Sequence, residues 1–155
     1  MLTTVTSLVA LLSTGLLAGI FLGHRLGTSF ALPQVPDSSF VRFQQEIHIR
    51  YVKFMPVLQI LSILGNLIWL LLLRTAPAAP KFILLALVTI GSIAVFAITL
   101  TVNVPINKKL MTWNSATPPS NVREIWRPWE KGNTVRTILM SAVFALQVVV
   151  VSLAM

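Results

Sequence analysis

Four long apolar stretches separated by polar segments set the architecture of this chain. Runs without a charge extend from about Thr3 to Gly23, Phe54 to Leu73, Phe82 to Val102 and Thr137 to Met155. Each approaches the roughly 20 residues that carry a helix across about 30 Å of hydrocarbon. Lipid offers the backbone no hydrogen-bond partner, so helices are the natural spanning form, and the absence of a two-residue period argues against a β-barrel. The pattern therefore predicts an all-α fold: a single membrane domain over residues 1–155, an integral membrane four-helix bundle running up-down-up-down. The first run is preceded by no basic residue and exceeds a signal-peptide core, so it reads as a retained helix.

The connections differ in content. In the first, Arg25 to Lys53, Pro33 and Pro36 interrupt the chain. Asp37, with Ser38 and Ser39, reads as the N-cap of a helix over Phe40 to Lys53. That helix carries Arg42, Glu46 and Arg50 at i, i+4 spacing beside an apolar stripe of Phe40, Phe43, Ile47 and Tyr51. It is expected to run on into the second span, with a kink at Pro56. The second connection, Arg74 to Lys81, holds Pro77 and Pro80 and reads as a short turn between antiparallel neighbours. The third, Asn103 to Arg136, is long and polar and breaks at Pro118 and Pro119. Helix three is expected to reach about Leu110, and helix four to begin near Trp129.

Composition agrees with a lipid environment: 55% of the 155 residues are hydrophobic and only 10% charged, against about 25% charged in soluble domains. The net charge is +8, from twelve Lys and Arg. Ten of these fall in the first and third connections and two in the second. Basic residues mark the cytoplasmic side, so both long connections are expected there and both termini opposite. No basic helix face or zinc-knuckle spacing supports nucleic-acid binding, and attraction of the loops to anionic lipid headgroups is the simpler account. With no cysteine, disulfides, thiolate catalysis, iron–sulfur clusters and Cys-held zinc or haem are excluded. There is no nucleotide-binding loop and no transporter-like inverted repeat.

Polar side chains near the ends of the spans are the candidates for chemistry. His24 ends the first span and His48 shares a helical face with Gln44 and Gln45. Either histidine can act as a general base or metal ligand, or simply hydrogen-bond at the interface. With Glu46 or Glu130 the pair has the composition of a two-histidine, one-carboxylate iron site, but no ligand spacing supports it. No cofactor is therefore expected, with iron or copper the alternative. Asn103 and Asn107 flank Pro105, which frees the carbonyl of Thr101. These amides suit a quinone-like or phenolic ligand, or else cap the broken turn. Trp126 and Trp129 fit an interfacial aromatic belt. Glu130, Asn133 and Thr137 share one face beside Arg136, which pairs with Glu130 structurally or clamps a developing enolate or phenolate. Gln59 and Asn66 read as glue between helices. Gly15 and Gly19 form a small-residue step that suits packing within the chain or a homo-oligomer.

The segment Asn103-Val-Pro-Ile-Asn107, followed by Trp126, Trp129-Glu130 and Asn133-Thr-Val-Arg136-Thr, on a four-helix plan covering nearly the whole chain, resembles a family of small membrane proteins that includes the anthrone oxygenases. The resemblance implies oxidation of a polycyclic anthrone to an anthraquinone by molecular oxygen, without a conventional redox cofactor. His48 or His24 would be the base, and Asn103, Asn107 and Arg136 would stabilise the oxyanion. Trp126 and Trp129 would flank the aromatic rings, with Glu130 and Asn133 beside them. Several relatives carry histidine where this chain has Asn133, and asparagine cannot serve as a base. The partners implied are the bilayer and a hydrophobic small molecule. The competing readings are a His-ligated metal oxygenase and a non-catalytic subunit that binds lipid or a protein partner through structural polar residues.

Overall fold

A computed structural model describes residues 2–74 and 79–153. The turn expected between the second and third spans lies mostly outside the described residues, as do the last two residues of the fourth run. Among the described residues the fold is all-helical, with five helices and no strand. They are α1 (Leu2–Gln34), α2 (Asp37–Tyr51), α3 (Met55–Leu72), α4 (Pro80–Leu110) and α5 (Val122–Ser152). Four of them, α1, α3, α4 and α5, are long and apolar enough to cross a membrane. The shortest, α3 at 18 residues, spans about 27 Å.

The bundle is apolar outside as well as inside. Leu8, Leu12 and Leu16 on α1, Leu64 and Leu71 on α3, and Ile83, Leu87 and Ile90 on α4 are exposed. A continuous apolar exterior on all four long helices is what lipid requires and water does not tolerate. The interior holds Leu17, Phe21, Trp69, Leu85, Val88, Val95, Met140 and Val143. Lipid gives helices no hydrophobic drive to associate, so close approach and polar contacts hold them instead. A Cβ on Gly65 of α3 would lie 3.0 Å from the Cβ of Ala10 on α1. Thr14 and Ser62 hydrogen-bond at 2.7 Å across the same pair of helices. Gln147 donates to Asn66 at 2.7 Å and Asn66 to Ser92, tying α5, α3 and α4 together.

Several sequence expectations are corrected. Helix α1 does not stop at Gly23 but continues to Gln34 through a wide π turn at His24–Thr28. Helix α5 starts at Val122, one turn or more before Trp129. Asp37 is not a cap: its carboxylate receives Arg123 Nε at 2.7 Å, and no side chain caps α2. Helix α2 does not run into α3. The chain turns at Val52–Phe54 and α3 restarts with Pro56 in its first turn, where a missing amide costs nothing. Phe43 of the supposed apolar stripe is exposed. The expected end of helix three at Leu110 agrees with the structure.

Pro105 shapes α4 as expected, but by a specific route. The residues before it form a π turn, Thr99–Asn103, in which Val104 N–H reaches back to the Thr99 carbonyl. Such wide turns shift every later side chain around the helix and recur at functional sites. The two π turns among the described residues bring His24 and Thr99 to one cavity.

Candidate active site

The cavity, of about 130 Å³, lies at the end of the bundle where the first and third connections gather, and draws on all five helices. Helix α1 contributes Phe21 and His24, α2 contributes Gln44, His48 and Tyr51, and α3 contributes Gln59. Helix α4 adds Thr99 and Asn107, and α5 adds Trp129, Asn133 and Arg136. Apolar Ile20, Ile47, Met55 and Val104 fill the wall between them.

Arg136 is the most informative residue. It is only 6% exposed, and its partners are neutral. Nη1 donates to Thr99 Oγ1 at 3.1 Å and Nη2 to Asn133 Oδ1 at 3.0 Å. Its guanidinium lies 4.7 Å from the Phe21 ring centroid and 5.7 Å from that of Trp129. Among the described residues the two ion pairs are Arg123–Asp37 and Arg25–Glu130, so the structural pairing of Glu130 with Arg136 is not made. A buried cation without a counter-ion costs several kcal/mol. The arrangement suits a bound group that brings negative charge.

Thr99 supports that guanidinium. Its hydroxyl donates to the Val95 carbonyl at 2.8 Å and accepts from both Arg136 and Gln59 Nε2, the latter at 3.1 Å. Gln59 is therefore glue, as expected, but also cavity wall. Neither Thr99 nor Phe21 stood out in the sequence. Pro105 was the available signal for the first, since it sets the π turn that turns Thr99 inward.

His24 is 6% exposed and packs at 5.3 Å against Trp129. Asn133 Nδ2 lies 3.4 Å from His24 Nδ1. Because Arg136 requires the oxygen of Asn133, the amide must turn its nitrogen to His24, so Nδ1 accepts and the ring proton sits on Nε2. His24 then presents a donor rather than a base. His48, half-buried on α2 outside the spans, is the remaining basic nitrogen on the wall. Burial lowers its pKa below the ordinary 6.5, which keeps it neutral and ready to take a proton.

Four buried donor-capable atoms of residues on this wall have no partner among the described residues: His24 Nε2, Gln44 Nε2, Trp129 Nε1 and Arg136 Nε. Buried polar atoms are normally satisfied. Four on one cavity mark a site shaped for an acceptor, such as a carbonyl, phenol or enolate oxygen.

Other candidates are elsewhere. Asn107 lines the cavity, but Asn103 does not: its Nδ2 donates to the Trp129 carbonyl at 3.1 Å, holding α4 to α5. Trp126 stacks on Trp129 at 4.5 Å and packs edge-on to Phe40, buried behind the wall rather than spread along an interface. Glu130 accepts from Trp126 Nε1 at 3.1 Å and faces Arg25. Glu46 is exposed on α2. No three His, Cys, Asp or Glu side chains among the described residues are grouped to hold a metal, so the two-histidine, one-carboxylate set does not assemble.

Fold and site together define a multi-pass, all-helical membrane protein with a buried cationic cavity at one end. The chain belongs to the anthrone oxygenase family, whose model matches residues 43–146. The matched segment includes His48, Asn107, Trp129, Asn133 and Arg136, whereas His24 precedes it. No curated protein and no solved structure matches the chain.

Proposed function

We propose that this protein is a membrane-embedded oxygenase that converts an anthrone-like aromatic to the corresponding quinone with molecular oxygen. The observation that carries the reading is Arg136, a buried guanidinium without a carboxylate, on a wall with four unpartnered donor-capable atoms. Ionisation of an anthrone CH2 leaves negative charge on the carbonyl oxygen across the ring. Preorganised donors aimed at such an oxygen in a dry site are the strongest catalytic device available to a protein.

His48 takes the proton, and its lowered pKa keeps it in the basic form. Arg136, with Gln44 and the Nε2–H of His24, holds the enolate oxygen, and Trp129 lies against the ring. Oxygen then adds at the carbanion carbon, and the resulting peroxide takes back the proton from His48. Loss of the second C–H as the O–O bond breaks gives the quinone carbonyl and one water. The sum is one CH2 and one O2 to one C=O and one H2O, with no external reductant. No metal or cofactor enters this scheme.

A cavity of roughly 150 Å³ accepts a benzene, so the reacting part of a three-ring substrate sits inside while the rest reaches toward the opening. A lipid-soluble substrate suits a protein whose exterior is apolar. The cavity end carries the basic long connections, which we place on the cytoplasmic side.

The test is turnover by detergent-purified protein supplied with hydroxylated anthrones. Quinone formation at one O2 per product is expected, falling about 10²-fold or more in Arg136→Gln. Absence of turnover across a panel of such anthrones, with the fold intact, would refute the proposal and favour the non-catalytic reading.

A further inference from the structure

Trp129 lines the first cavity, and its stacked neighbour Trp126 lines a second, of about 370 Å³, between the end of α1 and the start of α5. The two cavities share no residue. The charged side chains of the second are Arg25, Arg123, Arg127 and Glu130.

Each nitrogen of Arg123 is engaged. It donates from Nε to Asp37 and from Nη1 and Nη2 to the carbonyls of Leu32 and Val35. Glu130 is held by Trp126, and Arg25 reaches it only at 4.0 Å. Arg127 is exposed and makes no ion pair among the described residues. Counting Asp37, three guanidiniums face two carboxylates and leave one positive charge. Ser29 is 7% exposed, and its buried Oγ has no partner. A hydroxyl left free in a cationic pocket is a donor awaiting an anion.

The rim is apolar. The Arg25 guanidinium lies 4.8 Å over the ring of Phe30, and Leu22, Leu26 and Phe30 are exposed on the same stretch of α1. A ligand matched to both features carries one negative charge on oxygen and an apolar chain beside it.

We propose that this pocket binds the phosphodiester of an acidic phospholipid. Arg127 and Arg25 contact its non-bridging oxygens, Ser29 donates a hydrogen bond, and the acyl chains lie along exposed α1. A headgroup bearing its own cation would add that charge to a pocket already one positive charge in excess, so a zwitterionic lipid is disfavoured. The assignment is independent of the oxygenase proposal.

The experiment titrates the full chain in detergent with dihexanoyl phosphatidylglycerol below its micelle concentration, following tryptophan fluorescence, to which the Trp126–Trp129 stack contributes with Trp69 and Trp113. Parallel arms use dihexanoyl phosphatidylcholine and inorganic phosphate. Saturable binding of phosphatidylglycerol is expected, about tenfold weaker in Arg127→Gln and in Ser29→Ala. Both other probes should bind at least about tenfold more weakly. Arg127 is exposed and unpaired, so its variant keeps the helical content of the parent by circular dichroism. Inorganic phosphate binding as tightly as phosphatidylglycerol would overturn the lipid assignment. Equal affinity for both lipids, or affinity unchanged in both variants, would overturn the site.

Discussion

Asn133 stands between Arg136 and His24 and fixes the orientation of the histidine. Its oxygen accepts from Arg136 at 3.0 Å and its nitrogen faces His24 Nδ1 at 3.4 Å. One amide thus converts the demand of a guanidinium for an acceptor into a choice of tautomer. A histidine at this position would serve a different purpose. The asparagine here assigns His24 the role of donor and leaves proton abstraction to His48.

Replacing Asn133 by Asp reverses that choice. The carboxylate accepts from both neighbours, so the His24 proton moves to Nδ1 and the donor on the cavity side is lost. Nitrogen-15 chemical shifts of His24 should show the Nε2–H tautomer in the parent and the Nδ1–H tautomer in the variant. Activity should fall by at least about 10- to 100-fold, because one hydrogen bond to a charged group is lost and Arg136 gains a counter-ion at 3.0 Å. An Nδ1–H tautomer in the parent would undo the assignment.

Arg136 is predicted to be functional at the expense of stability. Arg136→Met removes a buried charge that lacks a counter-ion, so thermal unfolding in detergent should stay level or shift upward. Turnover should drop by about 10²-fold or more. A melting temperature lowered by several degrees would identify the guanidinium as structural.

The pH profile reports His48. Burial lowers its folded pKa below 6.5, so kcat/KM should hold steady through neutral pH and decline only below 6.5 as the base is protonated. Stability follows the same sign: the unfolded chain binds more protons just below 6.5, so folding weakens as the pH falls through that region and levels off beneath the folded pKa. His48→Gln should abolish the acid limb along with most activity. An acid limb that survives in His48→Gln would assign the base to another group.

Packing makes its own prediction. A methyl on Gly65 meets the backbone of Ala10 at 3.1 Å, so the two helices must part by a few tenths of an ångström, whereas one on Gly19 meets no atom within 4 Å. Gly65→Ala should destabilise by about 1–3 kcal/mol, and Gly19→Ala should be neutral or stabilising by up to about 1 kcal/mol. Thermal unfolding of the two variants in detergent checks both. Equal melting temperatures would contradict the observed α1–α3 crossing.

The fold was legible because hydropathy reports spans directly, and lipid admits few alternatives. The site was only partly so. Pro105 announced a disturbed turn, but a π turn adds a step of rotation that periodicity does not encode. Asn103 consequently faces α5 and Thr99 the cavity. Glu130 and Arg136, six residues apart on one helix, look like a pair on paper, yet Glu130 faces Arg25 of α1 and Arg136 bonds to Thr99 of α4, each with a second, neutral partner on α5 itself. Trp126 and Trp129 carry a belt signature, and the packing of Phe40 of α2 against Trp126 and of His24 of α1 against Trp129 buries them. Long-range packing decided each case.

In the proposed reaction the substrate is ionised before oxygen acts, and anaerobic mixing separates the two steps. Deprotonated anthrone absorbs at longer wavelength than the neutral ketone because its conjugation spans all three rings. This absorption is expected to build up when wild-type protein meets an anthrone without oxygen. It should be absent with His48→Gln, weak with Arg136→Gln, and replaced by quinone when air is admitted. An anaerobic spectrum that stays that of the neutral ketone, with rapid quinone formation once oxygen enters, would contradict this order and place activation of oxygen first.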